Sequence, residues 1–169
     1  SGAEDKQAFE QEWSMKPVSV NGIFDHKREI QVKKEMNGEK GFMVITPLYT
    51  HLSETGESCA ILVNRGWIPY DLRMQRMHLK QSAGTVTGLL YTGDKKNKWA
   101  IPNSPTIESY RNVYPEDFAI VDQLGNVEEA SQFMLQQIDL DSDTRQILPT
   151  VPCTGDLLKF QSTAERHDA

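Results

Sequence analysis

The sequence predicts a β-rich α+β domain: an antiparallel, barrel-like or strongly curved sheet with two or three helices. Three observations carry this prediction. Several short segments alternate apolar and polar residues, which is the pattern of half-buried strands. Residues 42–45 form a continuous apolar run, typical of a central strand covered on both faces, and residues 60–67 read as a second central strand. Polar stretches rich in helix formers occur at residues 4–13 and after Asn126.

In the first third of the chain, the elements follow from this periodicity. We expect a helix over residues 4–13 that ends before Pro17, because proline cannot continue a helix. Alternation over residues 18–24 predicts a strand. Residues 25–27 suit a turn, and the alternation resumes at Ile30 in a return strand.

The middle of the chain predicts the centre of the sheet. The two apolar strands are joined by a polar loop at residues 53–58, with Gly56 at its tip. Residues 71–80 place apolar residues among charges, which suits a short surface helix or an irregular excursion. Residues 85–92 form a further strand that Gly88 interrupts.

The last third predicts a loop, a helix and short strands. Three prolines make residues 102–115 a long ordered loop, and residues 118–121 read as a short strand. Asn126 followed by Glu129 has the form of a capping box, and apolar residues at helical spacing extend the predicted helix to Ile138. Final short strands are expected at residues 138–140 and 157–160.

Length and composition limit the class of protein. A chain of 169 residues suits one domain, which we place at residues 14–162 between a helical segment at 1–13 and a short segment at 163–169. The 18 Lys and Arg against 24 Asp and Glu give a net charge of −6, so we expect no nucleic-acid partner, although a local basic patch is compatible with that charge. The basic run at residues 95–98 therefore reads as a solvated hairpin tip.

The sequence lacks targeting and membrane signals. No apolar run approaches the roughly 20 residues needed to cross a bilayer, and no secretory leader or transit peptide precedes the domain. We expect a soluble chain or a soluble piece of a larger protein. Cys59 and Cys153 are too far apart for a Cys-x-x-Cys site, and buried or unreactive thiols are favoured over a disulfide.

Catalytic and metal-binding patterns are missing as well. The nucleophile elbow, the zinc-protease motif and the phosphate-binding glycine loops are all absent, and the four histidines are scattered singly. Asp139, Asp141 and Asp143 have the spacing that opens a calcium loop. However, Thr144 and Thr150 stand where that loop needs a glycine and a glutamate. The sequence thus shows none of these catalytic signatures, and a solvated strand end is the favoured interpretation of the three aspartates.

One segment interrupts an apolar strand with polar groups. It contains Asn64, Arg65, Gly66 and Trp67, and Pro69 ends it. A buried Arg65 would need a carboxylate or backbone carbonyls as partners, and Gly66 would allow a kink or a close backbone approach. The favoured interpretation is a strand end whose arginine network stabilises the core, and the alternative is a binding site.

This segment, Leu62-Val63-Asn64-Arg65-Gly66-Trp67 followed by Pro69, resembles the hallmark of the Surfeit-locus-one family of cytochrome c oxidase assembly proteins. Weaker likenesses occur in the same order along residues 13–167. They comprise residues 17–26, residues 41–48, Gly88, residues 118–122, and a loop with Trp99, Pro102, Asn103 and Pro105. Two departures indicate a divergent member: Leu89-Leu90-Tyr91 stand where the family carries an arginine, and residues 106–117 resemble an insertion.

The resemblance implies a non-enzymatic factor for biogenesis of mitochondrial cytochrome c oxidase, which aids insertion of haem a into the catalytic subunit. The alternative is a permanent accessory subunit of the oxidase or of a respiratory supercomplex. The implied partners are oxidase subunits, above all the haem-bearing catalytic subunit. The implied location is the mitochondrial inner membrane, with this domain in the intermembrane space and two flanking transmembrane helices that this sequence lacks. The bacterial periplasmic side is the second choice.

The resemblance also singles out His167, whose place is similar to that of a family histidine at the threshold of the second transmembrane helix. It implies a haem a ligand there, since neutral imidazole is a natural axial ligand of haem iron. The alternative is an interfacial histidine that caps the helix or meets lipid headgroups. The soluble domain itself is expected to hold no cofactor and no metal.

Overall fold

The computed structural model of the chain describes residues 2–14, 16–52, 54–73 and 83–138. Its helices are α1 (Gly2–Trp13), α2 (Tyr70–Arg73), α3 (Pro115–Val121) and α4 (Val127–Ala130), with single 3-10 turns at His26–Arg28 and Pro105–Ile107. Its strands are β1 (Val18–Phe24), β2 (Ile30–Met36), β3 (Glu39–Leu52), β4 (Ser58–Pro69), β5 (Ala83–Tyr91) and β6 (Met134–Gln137).

Five of the strands close into a barrel. The sheet runs in the order β1-β5-β6-β4-β3-β2, and a further pairing between β1 and β3 closes it. Strand β2 lies outside the closed ring as an extra strand on β3. All pairings are antiparallel except that between β4 and β6. The predicted fold class, a β-rich barrel-like sheet with helices packed around it, is confirmed.

The barrel encloses an apolar core to which each of the five strands contributes. The buried members are Phe24, Leu48, Val63, Val86 and Leu135. Alternate residues along a barrel strand point inward, so one side chain from each strand reaches the same interior. The interior is therefore filled by side chains, and a second layer must cover the outward-facing apolar residues.

That second layer is made by residues 110–130, which pack over the outer face of β2, β3 and β4. Outward-facing Ile45 and Leu62 belong to the same buried cluster as Val113 and Phe118. The ring of Phe118 meets that of Tyr110 edge to face, with centroids 5.8 Å apart. Because β3 and β4 are covered on both faces, the prediction of two central apolar strands is confirmed.

The sequence led us to expect that β2 would return along β1. The structure shows that it does not. Both strands lie on β3, where Phe24 pairs with Leu48 and Ile30 pairs with Ile45. The 3-10 turn between them, capped by the Asp25 side chain, moves the chain along the edge of β3. Strand β1 uses its other edge for β5, so it joins β3 to β5 in the closed ring.

The predicted strand at residues 118–121 is wrong, because this segment lies in helix α3. Pro115 occupies the first turn of the helix, and the acidic side chains Glu116 and Asp117 favour its positive end. Phe118 and Ala119 are buried while Ile120 is exposed, a helical pattern of burial. An apolar run of four residues is too short for periodicity to separate strand from helix.

The predicted helix from Asn126 to Ile138 is also wrong over most of its length. Helix α4 ends at Ala130, and β6 begins at Met134 between β4 and β5. The Asn126 side chain does not cap the helix. Its amide instead donates to the Ala60 carbonyl and accepts from the Ala60 N–H, both at 2.9 Å. Pairing with two neighbouring strands overrides the weak helical spacing of this segment.

Several sequence predictions fall partly or wholly outside the described residues. The strand expected at 157–160 lies outside them, and the strand expected at 138–140 does so except at Ile138. Asp139, Asp141, Asp143 and Cys153 also lie outside the described residues, and the domain limits stay predictions. Residues 71–80 begin as the short helix α2 and are described as far as residue 73. Cys59 is buried. None of the helices in the described part of the chain is long and apolar enough to span a bilayer.

We expect Asn126→Ala to lower the free energy of unfolding by about 1 to 3 kcal/mol, because it leaves the buried N–H and carbonyl of Ala60 without partners. For a chain of this size, each kcal/mol lowers the melting temperature by roughly 2 to 4 °C. Thermal unfolding followed by circular dichroism measures the change. The matched control is Glu128→Ala, at an exposed position on α4. Equal melting temperatures for the two variants would contradict the assignment.

Candidate functional site

The polar segment of β4 forms a β-bulge. Arg65 and Gly66 together stand opposite the single residue Val44 of β3, since the flanking pairs are Met43 with Trp67 and Ile45 with Asn64. Gly66 has a φ of 114°, in the region that favours glycine. Its N–H donates to the Asn64 side-chain oxygen at 3.0 Å. The kink that the sequence allowed at Gly66 is therefore present.

Arg65 points from the bulge into one end of the barrel and has no solvent exposure. The guanidinium carbon lies 4.9 Å from the centroid of the Phe24 ring, and Nη1 lies 3.4 Å from His26 Nδ1. Among the described residues, Nε and Nη2 have no hydrogen-bond partner. A cation is thus held in the apolar interior largely by an aromatic face.

Burial and one carboxylate set the charge state of Arg65. Burial lowers the pKa of the guanidinium to about 10, while the charge of Glu29 acts in the opposite direction. At neutral pH the side chain stays charged. The sequence analysis asked for a carboxylate or backbone carbonyls near Arg65 and did not identify Glu29, which lies 36 residues earlier in the chain, just before β2. No local sequence signal connects the two positions.

Trp67 and Pro69 tie the end of β4 to the neighbouring strands. The indole N–H of Trp67 donates to the Lys34 carbonyl at 2.9 Å, which links β4 to β2 across β3. The indole covers Gly41, where a Cβ would lie 2.5 Å from the ring. Pro69 is the last residue of β4 and pairs with the same glycine. Glycine at position 41 is thus required by the position of the indole.

Asn103 organises the long loop that precedes α3. Its amide N–H groups donate to the Asn112 carbonyl and to an Asp117 carboxylate oxygen, both at 3.0 Å. Its side-chain oxygen accepts the backbone N–H groups of Arg111 and Asn112, at 2.8 and 3.0 Å. Pro105 begins the exposed 3-10 turn of the same loop. Asn103 therefore holds the two ends of the loop together.

The polar strand and the loop meet at a cavity of about 400 Å³ on the outer face of the barrel. Asn64 contributes from the bulge, and Arg111 and Val113 contribute from the end of the loop that Asn103 holds. Helix α1 forms another wall through Glu10 and Ser14. Of the predicted site residues, the structure brings Asn64 to this cavity, whereas Arg65 lies inside the barrel.

The residues that depart from the family pattern also line this cavity. They are Leu89, Leu90 and Tyr91 of β5. The Tyr91 hydroxyl accepts a hydrogen bond from the Asn64 amide at 3.0 Å, and burial raises the pKa of Tyr91. Sequence reasoning noted these residues as a departure but gave them no role. These residues line the same cavity as Asn64 because β6 lies between β5 and β4 in the sheet, an arrangement that the sequence pattern does not show.

A second buried ionisable group lies at the end of α3. Burial raises the pKa of the Asp122 carboxyl to about 7; the charge of Asp25 adds to this effect, and that of Arg28 opposes it. The Arg28 guanidinium donates to the backbone carbonyl of Asp122 and lies 3.4 Å from the Asp25 carboxylate. This cluster ties the turn between β1 and β2 to the outer helical layer.

The remaining candidates do not converge on a reactive centre. In the basic run, Lys96 pairs with Glu116 at 2.5 Å and lies 3.7 Å from the centroid of the Tyr114 ring, whereas Trp99 is 81% exposed. The run occupies a loop between β5 and α3, so it is not a hairpin tip. No group of three His, Cys, Asp or Glu side chains within the described ranges is placed to hold a metal ion. His167 lies outside those ranges.

These features define a closed five-stranded barrel domain with a buried arginine at a bulge and an open cavity on its outer face. The chain belongs to the SURF1 family, whose model matches residues 2–165. It is 28% identical over 164 residues to Surfeit locus protein 1 of Gallus gallus, which covers 85% of this chain and 48% of that protein. It is 37% identical over 75 residues to Surfeit locus protein 1-like of Arabidopsis thaliana, and this match covers 41% of this chain and 20% of that protein. The chain thus spans about half or less of the length of these relatives.

We expect Arg65→Ala to lower the free energy of unfolding by about 3 kcal/mol, because it leaves a hole in the barrel and removes the charge that faces Glu29. Arg65→Met should lose less, since it keeps the volume against Phe24 and removes a buried cation. Urea denaturation of both variants and of the parent measures the difference. An unchanged midpoint for Arg65→Ala would refute the structural role.

The Asp122 carboxyl should make stability depend on pH. Between about pH 4 and pH 7 it holds its proton in the folded state, whereas the unfolded carboxyl, with an ordinary pKa of 3.8, has lost it. The free energy of unfolding therefore falls as the pH rises through this window. Asp122→Asn removes the titration, so its stability relative to the parent should rise from pH 5 to pH 8 by on the order of 2 kcal/mol.

Urea denaturation at pH 5 and pH 8 tests this expectation, with Asp71→Asn at an exposed position of α2 as the control. The control should keep the same difference from the parent at both pH values. If Asp122→Asn also keeps the same difference, the pH dependence does not arise from this carboxyl.

Proposed function

We propose that this chain acts as a non-enzymatic factor in the biogenesis of mitochondrial cytochrome c oxidase. The observation that carries the proposal is membership of the SURF1 family along residues 2–165. The finer proposal is that it aids insertion of haem a into the catalytic subunit. We place it at the mitochondrial inner membrane, with this domain in the intermembrane space and oxidase subunits as its partners.

The position of the family segment supports a binding or scaffolding role. Arg65 has no solvent exposure, so its guanidinium cannot meet a substrate or a partner protein. Trp67 uses its indole N–H on the Lys34 carbonyl, and Asn103 uses its amide within its own loop. These side chains hold the barrel and loop in shape. A partner would therefore contact surfaces that this segment supports.

Haem a would be cargo in this proposal. The described residues that line the cavity include the Met43 thioether but no histidine. An imidazole ligand would therefore come from elsewhere, and His167 is the residue we propose, because neutral imidazole is a natural axial ligand of haem iron. The proposal assigns no haem ligand within the barrel itself.

The test uses the full-length protein, with its own flanking segments, expressed in cells that lack it. Gentle purification of oxidase complexes from these membranes gives the amount of this protein per copy of the catalytic subunit. We expect a ratio far below one, concentrated in immature complexes. His167→Ala should lower the haem a content per catalytic subunit, while His51→Ala, an exposed position in β3, serves as the control.

Two outcomes would change the assignment. A ratio near one in active, mature oxidase would make the protein a resident accessory subunit. Normal haem a content and normal oxidase activity in cells without the protein would exclude a role in biogenesis. An unchanged haem spectrum in the His167→Ala variant would remove that residue from the proposal and leave the assembly role intact.

A further inference from the structure

The cavity between α1 and the barrel has the size of a small-molecule site. Its volume is about 400 Å³, within the roughly 300 to 1,000 Å³ that such sites usually occupy. Strands β2, β3, β4, β5 and β6 all contribute to its walls, together with α1 and the end of the long loop. A site built on strands is largely formed before a ligand arrives.

The wall of the cavity is mainly apolar. Its apolar side chains include Val32, Met43, Leu89, Val113 and Ile138, whereas the Leu90 side chain packs against the interior of the barrel. The polar groups between them are paired with one another or with backbone: the Asn64 amide with the Tyr91 hydroxyl, and the Gln136 amide with the Gln137 carbonyl at 3.2 Å. This wall therefore suits an apolar ligand body, because most of its surface is apolar and the Asn64 and Gln136 amide N–H groups already have partners within the protein.

Helix α1 is fixed as one side of the cavity. The Glu10 carboxylate accepts hydrogen bonds from the N–H and hydroxyl of Thr92, just after β5. The Phe9 ring stacks on Phe133, with centroids 5.3 Å apart. Helix α1 is thus anchored to the segments before β6 and after β5, and the cavity keeps its shape.

The rim of the cavity is basic in an acidic chain. Three cations lie there, Lys33, Lys34 and Arg111, although the net charge of the chain is −6. The two acids of the rim are already engaged within the protein. Glu10 binds Thr92, and an Asp94 oxygen accepts the Val113 N–H at 2.8 Å.

The cations are less engaged than the acids. Lys33 Nζ lies 3.4 Å from a serine hydroxyl. The Lys34 and Arg111 side chains are exposed, and neither forms an ion pair with another described residue. A guanidinium with free N–H groups matches a carboxylate or phosphate in two parallel hydrogen bonds. The rim therefore complements an anionic head group, next to a wall that complements an apolar chain.

We propose that this cavity binds a single-chain anionic amphiphile. The apolar chain lies against Leu89 and Val113, and the carboxylate or phosphate head lies at Lys34 and Arg111. This inference goes beyond the proposed role in oxidase biogenesis and does not depend on it. It also gives a role to the β5 residues at which this chain departs from its family.

The test is isothermal titration of the full chain with decanoate, decyl phosphate and 1-decanol, each below its aggregation limit. We expect one site per chain for either anion and binding of the alcohol weaker by about tenfold or more, which corresponds to about 1.4 kcal/mol. A stronger response to decyl phosphate than to decanoate would identify a phosphate head, and the reverse a carboxylate head.

Two sets of variants locate the site. Lys34→Gln with Arg111→Gln should weaken binding of both anions by about tenfold or more and leave 1-decanol unaffected, whereas Lys40→Gln, an exposed lysine outside the cavity, should change neither. Leu89→Trp should abolish binding by filling the cavity. Ser14→Trp obstructs the cavity from the exposed end of α1 and tests the same point without altering the core.

Several results would overturn the proposal. Equal affinity for decanoate and 1-decanol would exclude an anionic head group at the rim. Binding that persists in both folded tryptophan variants would place the ligand elsewhere. Weak binding of several ligand molecules per chain, without saturation, would indicate adventitious association only. Failure of all three ligands to bind would exclude the site.

Discussion

The position of one buried cation constrains much of this structure. A guanidinium inside an apolar barrel is costly unless its charge is compensated, and here the compensating groups all come from residues 24–29. The Phe24 ring lies below Arg65, His26 lies beside it, and the charge of Glu29 acts on it. These three groups bracket the turn between β1 and β2. The arginine thus holds the junction at which the chain passes from the closed barrel to the extra strand.

Along β4, ordinary alternation directs Arg65 into the barrel and Asn64 to the outer face, where Asn64 binds Gly66 and Tyr91. The extra residue of the bulge then shifts the alternation, so that Trp67 also faces the outer layer. Interior packing and the outer face of the barrel therefore meet at the same local distortion. A substitution at Gly66 would disturb both, because its φ of 114° is strained for any residue with a side chain.

Sequence reasoning succeeded where local pattern and final environment agree. Strands β3 and β4 are apolar on both faces because the barrel and an outer layer cover them, and a continuous apolar run signals that environment directly. The sequence predictions were wrong at residues 118–121 and over most of 126–138. Short apolar runs there fit both a helix and a strand, and contacts with distant strands decide which of the two forms. Asn126 has the residue type of a helix cap, but it binds Ala60, 66 residues away. The effect of the Glu29 charge on Arg65 and the cavity next to Asn64 depend on strand order, which periodicity does not encode.

The closure of the barrel limits the order in which the strands can pair during folding. Strand β1 lies next to β5, and the four residues of β6 fill the gap between β5 and β4. During synthesis from the N-terminus, the end of β1 can pair with β3, but the other edge of β1 must wait for β5, about 65 residues later, and the ring cannot close until residue 137 has emerged. Topologies with such distant pairings fold slowly, and their unpaired edges are open to association meanwhile. Premature termination before Met134 would leave β4 and β5 each with an unpaired edge, and such a fragment is a natural client for chaperones and proteases.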